Sequence, residues 1–576
     1  MSNVSRRQFL SHGAAVAGAT VVASPVLGAI LGDTAGASSY SGTLKVGLSS
    51  TTTAGIGPAF GKMDASGFNM MRAIYDPLMV NDSRGVPQPF LAQSVTSDAS
   101  HKNWTIKLRP GITFHDGTPL NADALIANIQ AWVNPRAIAN YAVGPLVANK
   151  TTKAAVVTKI DNLTARLTLN FPWVSFANTL AEQQIGYIQA PASIAANMSD
   201  NAHVAGDKNP IGTGPFIFNR CSWGVNSVMY CDANPNYWIA GLPNVAHLEF
   251  HPLSDGSSRQ NALDSNSVDI AVFSEAAQIS AIRRNQSNYN YHDDSNTAGY
   301  AVRLPAVDCV QFNCRNSMTY KGSPFSNYDS KNKPTKKGLL ARKAVYEALN
   351  RPALNRLANF GITNDANQVF PTTSVYGKAT TAVPAYSVSK ARADAKSAGL
   401  SSFKLMAVAG SASQQTLAQA VQGMCAAVGI AVSIVYTDQS TLINNALTGS
   451  YDATLWSQFG GCNPDLNFPW WNMLDGSNGA FISINMAGNF DPAIEAGMLA
   501  GMAAGTPKSQ TKTWNNVQSL LNKDLPYVWL NYQVAAIVSN KNVSGWQSPT
   551  VRAGSSNIAL LAQNGLVVWW STVTIS

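Results

Sequence analysis

Charge is what this sequence has least of. Lys, Arg, Asp and Glu make up 12% of its 576 residues, about half the ~25% of an average soluble domain. Its polar surface must therefore come largely from Ser, Thr, Asn and Gln, as suits a secreted protein. Forty basic against 31 acidic residues leave a formal charge of +9. The basic residues are scattered, and the one dense run, Lys331 to Lys337, reads as a solvated loop. With no basic helix and no aromatic-basic module, nucleic acid is not an expected partner.

Cysteine is scarce as well. Cys221, Cys231, Cys309, Cys314, Cys425 and Cys462 are the full set. No two stand in a CxxC pair, which argues against a zinc ribbon or a thioredoxin-like site. Even parity in an exported protein permits disulfides. Cys221 and Cys231 flank a turn-like Gly224-Val225-Asn226 and are placed to face each other across a hairpin, whereas Cys425 falls on an apolar helical face as a buried thiol.

Catalytic signatures are missing too. None of the seven histidines belongs to an HExxH, so a zinc protease site is not expected. No G-x-S-x-G occurs, so the elbow of the α/β-hydrolases is absent. His247 and His251 lie two pleats apart on one face of an alternating stretch, too far for easy shared ligation. The glycine-rich run at 55–62 lacks the Walker spacing, since Ile56 stands where glycine is required and Pro58 removes an amide. It reads instead as a flexible cleft loop with Phe60 as a ligand contact. His115-Asp116 tempts as a catalytic pair, but Asp116-Gly117 is better explained as hairpin turn chemistry. No metal and no cofactor is expected.

What is present begins with an export address. Ser5-Arg6-Arg7-Gln8-Phe9-Leu10 precedes a mildly apolar run at 13–31, and Ala35-Gly36-Ala37 supplies the small residues of a cleavage site. Paired arginines ahead of Phe-Leu match a twin-arginine signal, with cleavage expected after Ala37. The competing reading is an uncleaved anchor, although the run is rich in Ala and Gly. Cleavage would remove Arg6, Arg7 and Asp33 and lower the formal charge from +9 to +8. No cysteine precedes Cys221, so a lipidated anchor is not expected. No later run approaches the ~20 apolar residues of a membrane span.

Further along, 43–48 reads as a strand and a helix runs through Phe68, Met71, Ile74 and Tyr75. Residues 104–108 alternate as a half-buried strand, 112–114 form a second strand, and Asn121 caps a helix carrying Leu125, Ile126, Ile129 and Trp132. A hairpin pairs 216–223 with 227–231. From 403 to 458, strands at 403–409, 430–436 and 453–457 alternate with helices at 414–427 and 440–448, a βαβαβ pattern that requires a parallel sheet.

Ligands of such sheets bind beyond the carboxyl ends of the strands. The loop after the third strand, Gln458-Phe459-Gly460-Gly461-Cys462-Asn463-Pro464-Asp465, carries two glycines that allow close backbone approach. Trp456, Phe459, Trp470 and Trp471 surround it. It is either a ligand loop or a structural loop over a tryptophan-rich core.

The run WTIKLRPGITFHDGTPLNAD at 104–123 resembles the hairpin-then-helix signature of the peptide/nickel class of ABC-importer solute-binding proteins, family 5. Ile74-Tyr75-Asp76-Pro77-Leu78, Pro89-Phe90-Leu91-Ala92, Gly212-Thr213-Gly214-Pro215-Phe216, Asn234-Pro235-Asn236-Tyr237-Trp238, Phe312-Asn313, Ala341-Arg342-Lys343-Ala344-Val345, Tyr451-Asp452 and Leu525-Pro526-Tyr527-Val528 follow in the order that family shows.

The resemblance implies an α/β, two-lobed periplasmic-binding-protein clam-shell of class II. One lobe would comprise 43–86, 207–303 and 535–576, with an inserted domain at 87–206 and a second lobe at 304–534. It implies a small-molecule or peptide ligand closed between the lobes, ABC-importer permease subunits as partners, a monomer, and no enzymatic activity. Peptide-binding members carry an aspartate in the loop after the third strand that pairs with the ligand's ammonium. Here the loop is shorter by two residues and Cys462 falls at that place, with Asp465 as a substitute. Cys462 could also pair with Cys309 or Cys314. The expected ligand-binding set is Phe60, Gln311, Asn313, Trp456, Ser457, Gln458, Phe459, Cys462, Asp465 and Trp470. A nickel chelate, an opine, an oligosaccharide or, from another class, an exported hydrolase are the competing readings.

Overall fold

The stretch from Asn103 to Trp132 shows how local sequence sets the architecture. Trp104, Ile106 and Leu108 all point into the core of the strand Asn103–Leu108. The chain then turns at Gly117, whose φ of 81° suits glycine, while Asp116 Oδ1 accepts the Thr118 N–H at 3.0 Å. Asn121 closes the turn by accepting the Ala124 N–H at 3.0 Å, which satisfies an open donor of the helix Ala122–Trp132. The strand expected at 112–114 is reduced to one bridge, Thr113 to Pro119, because the turn leaves it no longer partner.

The computed structural model describes residues 40–576 apart from 51, 53–54, 84, 150, 201, 203, 225, 294–305, 316–321, 329–334, 373, 410, 459–462, 473–483, 548, 555 and 560–566. The signal at 1–37 lies outside these residues. Among the described residues, no helix is long and apolar enough to cross a membrane.

Three sheets organise the chain. The first lobe is built on seven strands in the order Asn290–Asp293, Ala536–Ser539, Ile270–Phe273, Thr43–Leu48, His247–Pro252, Met229–Ala233 and Phe216–Arg220. The second lobe has five, ordered Ala431–Thr437, Ser402–Val408, Ala453–Gln458, Val307–Phe312 and Tyr527–Tyr532. Its first three are parallel, as the βαβαβ pattern requires. The third sheet is antiparallel and lies in the inserted segment, with strands Ala92–Ser97, Asn103–Leu108, Thr164–Thr168 and Val156–Lys159.

Register places the ends. Gln458 and Tyr532 both pair with Val307, so the carboxyl ends of the parallel strands share an edge with the point where the chain arrives from the first lobe. Phe273 pairs with Ala536, so the first lobe's parallel strands also end where the chain crosses back. At the crossing between the two sheets the Gln533 N–H donates to the Ala306 carbonyl at 2.8 Å.

The motifs spread through the first 240 residues converge on one carboxylate. Buried Asp76 accepts from the Tyr237 hydroxyl at 3.1 Å, the Trp238 indole at 2.8 Å and the Thr213 hydroxyl at 3.2 Å. Desolvation raises it to about 7, even though those three donors pull it down. A Cβ on Gly212 would meet the Ile74 carbonyl oxygen at 2.1 Å, so only glycine lets the two segments touch. His115 Nε2 lies 3.0 Å from the Gly214 carbonyl, and burial holds its imidazole down at about 4. His115 therefore pins the inserted domain's turn to the first lobe, which is a structural role.

The five described cysteines are free thiols, which corrects two expectations. Cys231 stands opposite Phe218 across a register shift between Phe218 and Arg220, and Cys221 and Cys231 are both free thiols. Cys221 Sγ instead accepts the Trp223 N–H at 3.4 Å. Cys309 Sγ points to the Trp456 carbonyl at 3.5 Å and Cys314 is buried. Neither is bridged, and Cys462 lies outside the described residues.

Candidate ligand site between the lobes

The strand Ala453–Gln458 has two faces with different fates. Ala453 and Leu455 pack into the core of the second lobe, together with Val310 and Phe312 of the neighbouring strand. Trp456 lies on the other face, over Val307 and Cys309, against a core that runs from the inserted domain into the second lobe. Gln458 shares that face, directly opposite Val307.

Here polar atoms are buried without partners. Both Nε2 and Oε1 of Gln458 and Nε1 of Trp456 lack a hydrogen-bond partner, although Gln458 is 1% exposed. Asn467 Oδ1, in the short turn Pro464–Asn467, is in the same state. On the inserted domain, fully buried Asn140 has neither side-chain atom paired. Its helix Ile138–Val147 packs on the helix Phe468–Trp471, and the Ala139 N–H donates to the Ala59 carbonyl at 3.1 Å. Leaving a buried polar group unsatisfied costs ~1–3 kcal/mol, and native structures contain few such groups. Other buried polar atoms of the described residues are also unpaired, but those of Gln458 and Trp456 lie at the carboxyl end of a parallel strand, the place where α/β folds bind ligands.

Aromatic walls adjoin it. Half-buried Trp456 and Trp470 both bridge this core and the apolar cluster of Met406, Leu442 and Tyr451. Phe60 is 6% exposed and belongs to the same shared core. Its loop is packed rather than loose. The Ile56 N–H donates to the Asp207 carbonyl at 3.1 Å, and a Cβ on Gly57 would fall 1.7 Å from Asp207 Oδ1.

Other expected residues are spent inside the fold. Gln311 Nε2 donates to the Tyr451 hydroxyl at 2.9 Å. Asn313 Nδ2 donates to the carbonyls of Gly449 and Tyr451, both at 2.8 Å. Ser457 Oγ donates to Asp308 at 2.7 Å and accepts from Gln533 Nε2 at 2.8 Å. Asp465 is 1% exposed and accepts from Ser175 Oγ, from Trp514 Nε1 at 2.7 Å and from Gln510 Nε2 at 3.3 Å. Burial lifts it to about 6 against those hydrogen bonds. Asp465 thus ties the inserted domain to the second lobe and does not face a ligand ammonium. Phe459 and Cys462 lie outside the described residues.

Asn140 and Asn467 escaped the sequence reading. The one available signal for Asn140 is its isolation in the apolar run at 137–148. Among the described residues, no group of three or more His, Cys, Asp or Glu is placed to hold a metal ion. His247 and His251 each pair separately, with Asp232 and Glu249, at 2.8 Å.

Comparisons with known proteins bear on the family and the two-lobed fold. A model of the family described as bacterial extracellular solute-binding proteins, family 5 Middle, matches residues 86–481. The glutathione-binding protein GsiB of Escherichia coli strain K12 is 24% identical over 502 residues, covering 83% of this chain and 87% of its own. A dipeptide-binding protein from Pseudoalteromonas sp. SM9913, solved with Met-Leu, superposes with a TM-score of 0.75 at 16% identity, over 93% of this chain and 100% of that one. AgaA from A. tumefaciens R10, solved with agropinic acid, gives 0.74 at 22% identity, over 93% and 99%.

Proposed function

The chain belongs to the bacterial extracellular solute-binding proteins, family 5, and on that premise we propose that it captures a small peptide-like ligand between its lobes for the permease subunits of an ABC importer. The observation that carries the ligand site is the set of unpaired buried polar atoms on Gln458, Trp456, Asn467 and Asn140. Glutathione and a dipeptide are the ligands named for two similar proteins, which supports a peptide-like class.

The working protein is a monomeric binder without enzymatic activity, exported by a cleaved twin-arginine signal at 1–37 and kept outside the cytoplasm without a lipid anchor. Its lobes are 43–86 with 207–303 and 535–576, and 304–534, with 87–206 inserted. Closure is a rotation about the crossing at Ala306 and Gln533.

A thermal-shift panel on residues 38–576 tests the reading. It contains di- to pentapeptides, N-acetylated peptides, oligosaccharides and nickel with histidine. A ligand at 100 times its Kd adds about 2.7 kcal/mol, which is readily seen. Stabilisation by any peptide supports the proposal. A response confined to oligosaccharides or to nickel with histidine overturns it.

A further inference from the structure

The proposed peptide capture leaves open which chemical form of peptide fits, and the side chains at the strand end bear on that choice. Resting on that reading, we infer that the site selects ligands whose contact with Gln458 and Trp456 is an uncharged amide, so that blocked peptides are preferred over free-amine ones.

Gln458 presents an N–H donor and a carbonyl acceptor side by side, both buried and unpaired. That pair complements an amide, which offers one acceptor and one donor. Trp456 adds a second donor two residues earlier on the same strand face. Two residues of strand span about 6.8 Å, which is also the repeat between carbonyls on one side of an extended peptide. The half-buried rings of Trp456 and Trp470 supply apolar surface.

The two carboxylates on the strands and turn next to Gln458 are already engaged. Asp465 is taken up by Ser175, Trp514 and Gln510. Asp308 is held by Ser457, Asn531 and Gln533, and it lies on the opposite strand face from Val307 and Cys309, with Val310 and Phe312. Burying an unpaired charge is costly, whereas burying an amide against matching groups recovers the hydrogen bonds those groups otherwise lack.

Isothermal titration of residues 38–576 with one peptide sequence in two forms tests the inference. The forms are free amine with free acid, and N-acetylated with C-terminal amide. The blocked form is expected to bind at least tenfold tighter. A smaller preference, or the reverse, overturns the inference while peptide capture stands. Binding by neither form, across the di- to pentapeptide range, ends both.

Gln458→Leu gives an independent readout. Leucine has similar volume and no polar atoms, so the ligand-free Tm is expected to rise while affinity for the blocked peptide falls at least tenfold. Unchanged affinity would remove Gln458 from the site. Gln458→Glu restores a charge and is expected to move the preference towards the free amine.

Discussion

Ser175 of the inserted domain donates its hydroxyl to the carboxylate of Asp465 in the second lobe. The same Ser175 oxygen accepts the Trp173 indole N–H at 3.1 Å, and nearby the Val174 N–H reaches the Met502 carbonyl at 2.9 Å. Two bodies far apart in sequence are therefore locked through one buried acid. Asp465→Ala would strip an acceptor from Ser175, Trp514 and Gln510 together. Stability should fall by about 2–4 kcal/mol, read as a lower urea midpoint at unchanged slope. Asp465→Asn keeps one acceptor oxygen and should lose less.

Stability should decline from mildly acidic to alkaline pH. Burial raises Asp76 and Asp207 to about 7 and Asp465 to about 6. The folded protein keeps protons that the unfolded chain sheds above ~4, so this contribution is complete below that pH and is lost as pH climbs towards 7. His115, held down at about 4, and His292, also lowered by burial, act the other way below their ordinary value, but raised carboxyls, Asp269 and Asp308 among them, outnumber them. Melting temperatures at pH 5, 6, 7 and 8 should fall in series, and Asp76→Asn should flatten the series. Parallel curves for the variant and the native protein would show that Asp76 is not a source of the slope.

The tryptophan walls should matter to ligand and little to folding, because Trp456 and Trp470 are only partly buried. Each alanine substitution is expected to weaken ligand affinity at least tenfold, about 1.4 kcal/mol, in a titration calorimeter. Far-ultraviolet circular dichroism should stay unchanged. Full affinity in both variants would place the ligand elsewhere.

Free thiols make a separate forecast. Iodoacetamide should label Cys221, which is partly exposed, in the native protein, although burial raises its thiol. Cys231, Cys309, Cys314 and Cys425 are buried and should react only after denaturation, without prior reduction. Peptide mass mapping decides it. A Cys221–Cys231 cystine that appears only in unreduced samples would contradict the free-thiol state.

Much of the fold was legible because it is written in local chemistry. The alternation of Trp104, Ile106 and Leu108, the Asn121 cap and the strands around 403–458 all appear within a few residues of where periodicity puts them. The clam-shell followed from the order of motifs such as Asp76, Gly212-Thr213-Gly214 and Tyr237-Trp238. Their physical reason, convergence on one buried carboxylate, needed tertiary contacts. The proposed site was legible only as a region. Strand-end logic pointed to Trp456, Gln458 and Trp470. It also enlisted Gln311, Asn313 and Asp465, since sequence shows that a polar residue lies near a site but not which donor has already claimed it. Asn140 was missed because it lies on a helix of a different domain, more than 300 residues from Gln458.

The strand Ala536–Ser539 sits between Asn290–Asp293 and Ile270–Phe273 in the first lobe's sheet. A ribosome would deliver the other members of that sheet first and this one long after them. Until it arrives, Asn290–Asp293 has no strand partner among the described residues, and the edge of Ile270–Phe273 stands open. Assembly must therefore wait for a strand more than 240 residues further along the chain, a long-range closure of the kind that slows folding. Loss of only the last forty or so residues would leave a split sheet rather than a slightly shorter protein.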